Sequence, residues 1–370
     1  MGESISPLFY IEKKNMKVLY IFAGERDSKF KGTAGVDFSG TSFYGQNHLK
    51  NFGIKAIYKE WWNDPLMSFV GRLLGFNLRH AFMFFRTFGQ DIVFGSSVLN
   101  MMIFRKFIPR QTKFVMLNIS LTRLWQNNKN KKIKGPVIRW LLKSLDGVVC
   151  LSTKQKDFCV REFHFLKGKT FFVPFGVDVS FLKFIREGRE DFILSAGRDN
   201  GRDYKTVLEV ARLMPNENFE IVCSPRNLGG IVDIPKNVKV YFDITKKELE
   251  EKYKKAKILL LITHDDDYKH GADCSGQTVL LESFAMGLPV IATKRASLRD
   301  YVSDKNNIAL VGIYDVSTII EKVNLFGDES VRERLAKNAR EMVEENFSTK
   351  IFASGVARVF KDINSKSNNG

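Results

Sequence analysis

The chain has 370 residues, 44% hydrophobic and 27% charged. That is a globular composition, long enough for two domains of ordinary size. No apolar run approaches the length that crosses a bilayer, so no transmembrane helix is expected. The first fifteen residues lack the basic start and apolar core of a signal peptide, and Met16 is an alternative start. Cys150, Cys159, Cys223 and Cys274 show no metal-ligand spacing and read as reduced thiols of a cytosolic protein.

The net charge of +17 is unevenly spread. Residues 1–180 hold 28 Lys+Arg against 12 Asp+Glu, whereas the remainder holds 30 against 29. Such asymmetry suits an anionic surface or acceptor: a membrane leaflet, a lipid-linked diphosphate or nucleic acid. The basic half carries no recognisable nucleic-acid motif, so nucleic acid is not expected as a partner.

Strand-like runs alternate with helical stretches from Met16 onward. The first series is Lys17–Phe22, Ile54–Tyr58, Asp91–Phe94, Lys113–Leu117, Gly147–Leu151 and Thr170–Val173. The charged stretch Lys183–Glu190 reads as a linker. A second series follows: Phe192–Ala196, Phe219–Cys223, Val238–Phe242, Ile258–Thr263, Pro289–Thr293 and Ile308–Val311. Two such series predict an α/β protein of two doubly wound parallel sheets. The expected domains are 16–182 and 191–347, with 348–370 as a final helix and tail.

Within the first half, Asp64-Pro65 is a good helix start. Arg72, Arg79 and Arg86 are seven apart and would form one stripe, flanked by Phe69, Phe76, Phe82 and Met83. Ala81, Phe85 and Phe88 fall more to the other side. Two readings stay open: a buried helix whose arginines find carboxylates, or an interfacial helix that dips Phe into lipid while Arg meets phosphates. The run Lys129–Lys134 would reinforce the second, although alone it is a solvated loop.

Residues 193–211 read ILSAGRDNGRDYKTVLEVA. A strand ends at Gly197, and a loop bearing Arg198 and Arg202 leads into a helix. Two guanidinium forks at the mouth of a sheet suit a diphosphate. The alternative is a basic turn with Asp199 and Asp203 as local partners. His264-Asp265-Asp266-Asp267 invites a metal reading, but the two-sheet pattern favours a solvated acidic loop at a cleft edge, and no metal is expected.

Residues 271–293 read GADCSGQTVLLESFAMGLPVIAT. A loop, Asp273-Cys274-Ser275-Gly276, opens a helix from Gln277 to about Met286. The N–H groups near Gln277, Thr278 and Val279 would lie at the positive end of the helix dipole, where a phosphate fits. Glu282, about two turns in, is placed for a sugar hydroxyl such as a ribose. The plainer reading is an ordinary helix with one solvated acid.

Glu282–Ile291 (ESFAMGLPVI) closely resembles the second half of the donor-binding signature of family 4 glycosyltransferases. Arg198 matches that family's Arg after the first strand of the donor domain, and Arg202 falls where it usually has Lys. Phe172–Asp178 (FVPFGVD) resembles the segment that closes its first domain, with Phe175 in place of Asn. The resemblance covers about 146–350 well and 16–145 only by pattern.

The resemblance implies a GT-B fold with facing Rossmann-like domains and a last helix, near Ser348–Asp362, crossing back to the first domain. It implies retaining, metal-independent transfer from a nucleotide sugar, most naturally UDP- or GDP-linked, which is a substrate and not a cofactor. Arg198 and Arg202 would neutralise the leaving diphosphate, and Glu282 would hold the ribose. Asp273, Cys274, Ser275, Gly276 and Gly35 would line the donor, with Asn118 as a sugar or acceptor contact.

The acceptor would be a glycan or a lipid-linked molecule, and the location cytoplasmic, peripheral at the inner membrane face. The family's first signature Glu falls on Cys274, which cannot accept hydrogen bonds as a carboxylate does. That substitution keeps open a second reading, a catalytically degenerate glycan- or membrane-binding subunit.

Overall fold

A computed structural model describes residues 15–22, 41, 43–59, 67, 69, 71, 78–185, 188–231 and 233–366. The first sheet contains β1 (Met16–Tyr20), β2 (Ile54–Tyr58), β3 (Ile92–Gly95), β4 (Lys113–Asn118), β5 (Gly147–Cys150) and β6 (Thr170–Phe172). Its order is β2-β1-β3-β4-β5-β6, with every pairing parallel. The helices of this half are α1 (Leu78–Phe82), α2 (Val98–Arg105), α3 (Leu121–Gln126), α4 (Lys134–Leu142) and α5 (Thr153–Glu162).

The second sheet contains β7 (Ile193–Ala196), β8 (Phe219–Cys223), β9 (Val238–Phe242), β10 (Ile258–Leu261), β11 (Val290–Thr293) and β12 (Ala309–Val311). Its order is β12-β11-β10-β7-β8-β9, again all parallel. Its helices are α6 (Tyr204–Leu213), α7 (Lys246–Lys255), α8 (Gln277–Ala285), α9 (Val316–Leu325), α10 (Glu329–Asn346) and α11 (Thr349–Ser365). The twelve strand-like runs of the sequence are these twelve strands. The central strands are apolar without alternation because helices cover both faces of a parallel sheet, and β3, β5, β7, β8, β10 and β11 are buried throughout.

One apolar cluster runs through both halves, joining Val18, Phe94 and Phe175 of the first to Leu259, Leu280 and Tyr301 of the second. The strap that completes it is α11. Ser348 caps this helix through the N–H of Ile351, and Phe352, Val356, Val359 and Phe360 face inward. Phe360 meets Phe94 edge-on at 5.2 Å, and Phe352 meets Phe175 at 6.2 Å. The last helix therefore packs on the first domain. Among the described residues no helix is long and apolar enough to cross a membrane.

The stretch 61–88 differs from its expectation where it is described. Residues 60–66, 68, 70 and 72–77, Arg72 included, lie outside the described residues. From Leu78 the chain is α-helical only to Phe82, and Met83–Arg86 is a 3-10 turn. That turn advances about 120° per residue rather than about 100°, so the side chains drift from the helical register. Met83 and Phe84 are fully buried, whereas Phe85 and Phe88, expected opposite the arginine stripe, are exposed. Arg79 and Arg86 are both partly buried and do not share a continuous helical stripe.

Close approach to α11 restricts one glycine in particular. Gly45 has φ +66°, and a Cβ there would sit 2.5 Å from the carbonyl oxygen of Thr349. Gly168 has φ +78° but open space around it. Gly168→Ala is expected to cost about 1 kcal/mol, the left-handed strain alone. Gly45→Ala is expected to cost about 3 kcal/mol, because overpacking adds to the strain. Thermal denaturation of both variants checks this; equal midpoints would disprove the packing role of α11.

Candidate functional site

The loop after β7 and the loop before α8 meet at the C-terminal edge of the second sheet. Glycines let them approach: a Cβ on Gly201 would lie 3.2 Å from the Cα of Gly271. Asp199 knits them together, its Oδ1 accepting from the N–H of Gly201 (2.8 Å) and of Ala272 (3.2 Å). Asp203 caps α6 by accepting from Thr206 N (3.1 Å) and Oγ1 (2.5 Å). Both acids are thus spent on backbone and cap geometry.

Arg202 lies between the loops, 6% exposed. A Cβ on Gly197 would stand 2.3 Å from its Nε, and one on Gly276 would stand 3.5 Å from Nη1. At Gly197 a side chain would collide with the guanidinium, whereas at Gly276 it would only touch it. Its Nε has no partner within the described protein. Burial lowers its pKa, with Tyr204, Tyr253 and Asp199 acting in the opposite sense. Arg198 diverges from it: the side chain is half-exposed, donates to the carbonyl of Ile244 at 2.9 Å and pairs with Asp243 at 3.4 Å. The two arginines expected as a pair therefore point to different parts of the sheet edge.

Helix α8 begins at Gly276, φ +90°, and no side chain caps its first turn. The N–H of Gln277 is taken by the carbonyl of Cys274 (3.2 Å), so of the three expected N–H donors it is already engaged. The Gln277 side chain is buried, with Nε2 on the carbonyl of Ser297 (3.4 Å) and Oε1 without a partner. Thr278 is exposed and Val279 half-buried. Glu282 is not solvated: it is 8% exposed, and its charge, after burial, is what pushes the Tyr253 phenol upward.

The 273–276 loop turns toward the first domain. Asp273 Oδ2 accepts from the N–H of Thr122 at 3.3 Å and from Gln155 Nε2 at 3.4 Å. Burial raises its pKa. Cys274 donates to the carbonyl of Ile119 at 3.5 Å, and burial, with help from Asp273 and Asp199, pushes its thiol up to about 12. Ser275 is buried with its Oγ unpartnered, while its carbonyl accepts from Arg295.

Sequence reasoning missed Arg295 and misread Asp266. Arg295 is 6% exposed, and its Nε has no partner within the described protein. Burial lowers its pKa, opposed first by Asp266. Asp266 is no solvated acid. It contacts Arg295 at 3.5 Å and Lys154 of α5 at 3.1 Å, and accepts from Ser297 N (3.1 Å) and Oγ (2.6 Å). Burial would raise its carboxyl, but Arg295, Ser297 and Lys154 outweigh that and hold it low. Nothing in the local pattern signals these pairs, because the two partners on α5 and in the loop are more than a hundred residues apart.

Asn118, expected at the donor, is buried in the first domain. Its Oδ1 accepts from Leu121 N at 2.9 Å at the start of α3, and its Nδ2 faces the sulfurs of Cys150 and Cys159. Gly35 lies outside the described residues. Between the domains Thr122, Lys154, Gln155, Asp266, Asp273 and Arg299 line a cavity of about 190 Å³. A larger one, 1210 Å³, lies behind the second sheet between the linker and α10, with Arg332 and Arg340 among Glu329, Glu333, Glu341 and Glu344. Its walls mix both charges and include none of the loops just described.

Residues 226–342 match the family model described as glycosyl transferases group 1. The matched segment contains α8, Glu282 and the whole 271–293 stretch. None of the curated proteins matches the chain. Among solved structures, the chain is similar to sucrose-phosphate synthase from Thermosynechococcus elongatus, at 15% identity and TM-score 0.69, covering 95% of this chain and 100% of that one. It is also similar to a glycosyltransferase from Rickettsia africae, at 14% identity and TM-score 0.64, covering 94% and 98%. A third is HepE from Anabaena in complex with UDP-glucose, at 12% identity and TM-score 0.65, covering 94% and 100%. At such identities the likeness shows the fold: two Rossmann-like domains in the GT-B arrangement.

The raised carboxyl of Asp273 has a pH signature. A carboxylate whose folded pKa exceeds its unfolded value destabilises the fold where it is charged, and the penalty vanishes below its unfolded value, about 3.9. Asp273→Asn keeps an oxygen for Thr122 and Gln155. It is expected to raise the thermal midpoint at neutral pH and to give no gain below that value. An unchanged or lower midpoint at neutral pH would contradict the assignment.

Proposed function

We propose that this protein is a glycosyltransferase that moves a sugar from a nucleoside-diphosphate sugar to a hydroxyl of a glycan or lipid-linked acceptor. The observation that carries the reading is Arg202: a buried guanidinium whose Nε has no partner among the described residues, packed against Gly197 beside an uncapped helix N-terminus. Positive charge held out of water interacts far more strongly with a departing diphosphate than charge on the surface does. The N–H groups of Thr278 and Val279 add the end of the helix dipole. Glu282, six residues into the same rigid helix, takes the ribose hydroxyls. The family match over 226–342 supports this reading, and the HepE complexes with UDP and UDP-glucose support a UDP-linked donor.

In this proposal the acceptor hydroxyl enters from the first domain and attacks on the face the diphosphate leaves, so configuration is retained, and no protein nucleophile is assigned. The fixed cations and the helix end supply the charge stabilisation, so transfer is proposed to be metal-independent. Four free cysteines support a cytoplasmic location. The Asp273–Cys274 loop favours a second reading, a nucleotide-binding subunit without catalysis, because its one carboxylate is turned to the first domain.

Arg202→Ala is expected to lower kcat by about 10²- to 10³-fold, the usual cost of losing one preorganised donor to a developing anion. Glu282→Ala should mainly raise KM for the donor. The measurement is nucleotide release and product formation across UDP- and GDP-sugars. Wild-type rates in Arg202→Ala would overturn the proposal. Nucleotide-induced thermal stabilisation of the wild type with neither hydrolysis nor transfer would select the second reading.

A further inference from the structure

Residues 92–145 contain eleven Lys and Arg and no Asp or Glu. They build α2, β4, α3 and α4, so the first domain carries an acid-free sector. Helix α4 shows how it is organised. Ile138, Leu141 and Leu142 face the core and are buried. Ile133, Val137 and Trp140 recur at the i, i+4, i+7 spacing of a second helical stripe, and this one faces water: Ile133 is 76% exposed, Val137 42% and Trp140 39%.

Phe107, 75% exposed just beyond α2, extends the stripe, its ring 6.4 Å from that of Trp140. Lys106 lies over Trp140 at 5.1 Å. Lys131, Lys132, Lys134, Arg139 and Lys143 are exposed around it. Arg105 is the cation of this group that pairs with a carboxylate, Asp146 at 2.5 Å; among the described residues the exposed lysines have no ion pair.

We infer that the α2–α4 face is a seat for an anionic lipid bilayer. Side chains of this kind, apolar at the tip and ringed by long cationic stems, match an interface where acyl chains begin beneath a layer of phosphates. Each Lys or Arg near such a surface adds attraction, while Asp146 and Glu162, acids that touch the segment, meet Arg105 and Trp125 rather than the exposed lysines. Nucleic acid would use the cations but has no need of exposed Ile133 and Val137, since phosphate and base contacts are polar or aromatic. The face is separate from the 273–276 loop and from Arg202, and the inference stands whether or not sugar transfer is the activity.

The test is flotation of the full chain with vesicles of phosphatidylcholine alone or mixed with phosphatidylglycerol. Wild type is expected to float with the anionic vesicles, less so at high salt, and to stay in solution with neutral ones. The triple change Lys131→Glu, Lys132→Glu, Lys134→Glu should lower partitioning by about tenfold or more. Phe107→Ser with Ile133→Ser should lower it comparably. All five sites are exposed, so unchanged thermal midpoints are expected and would certify the fold.

Wild type that fails to float with anionic vesicles overturns the inference, as do folded variants that float like wild type. Failure to float, combined with binding to a short DNA duplex that the Lys variant loses and the Phe107/Ile133 variant keeps, would assign the face to nucleic acid. None of these readouts depends on sugar transfer, so failure here and failure of the catalytic proposal are distinguishable.

Discussion

A single buried cation sets the terms for the second domain. Holding a guanidinium out of water costs far more than an exposed one gains, and Arg202 is held by shape. Gly197 removes the Cβ that would fill its slot. Gly201 and Gly271 let the loops approach, and Asp199 locks them by backbone hydrogen bonds. Asp203, which from sequence could have neutralised the arginine, is engaged as a helix cap. The Arg202 Nε is left buried and without a partner among the described residues.

The same logic extends across the cleft. Acids of the second domain, Asp266, Asp273 and Asp300, receive donors from the first: Lys154, Thr122 with Gln155, and Thr153. Behind them the chain crosses between domains over a base fixed by two arginines. Arg189 donates to the carbonyls of Ala256 (3.0 Å), Met286 (3.0 Å) and Gly287 (2.8 Å), and Arg340 to those of Leu182 (2.6 Å) and Val179 (3.2 Å). Burial brings the Arg189 guanidinium down to about 10. The charged stretch read from sequence as a linker is pinned at its end onto the turn that follows α8. Helix α11 packs back onto the first domain.

The strands were legible because parallel strands covered on both faces must be short apolar runs, and twelve such runs separated by helical stretches admit few folds. The placement of Glu282 on a helix after a glycine loop, and of Arg202 in the loop after a strand, follows from local pattern. The roles of Arg295 and Asp266 were not legible there. Their meaning comes from Lys154, Ser275 and Ser297, which the fold gathers from three separate segments. Asn118 was misplaced because the end of β4 looks the same in sequence whether its polar residue faces a ligand or caps the next helix. In 61–88 apolar residues occur on every face, so seven-residue spacing could not say which side is inward, and the 3-10 turn at Met83 shifts the register further.

The loop that departs from the family pattern also departs in charge. Where the family places a carboxylate, Cys274 offers a thiol that stays protonated, and the neighbouring Asp273 is raised by burial and turned to Thr122 and Gln155. Of the two buried guanidiniums, Arg295 is lowered first by burial, and Arg202 stands near enough to lower it further. Asp266 pairs with Arg295, whereas Cys274 adds no carboxylate beside them, so this loop carries one negative charge fewer than a carboxylate at 274 would give it.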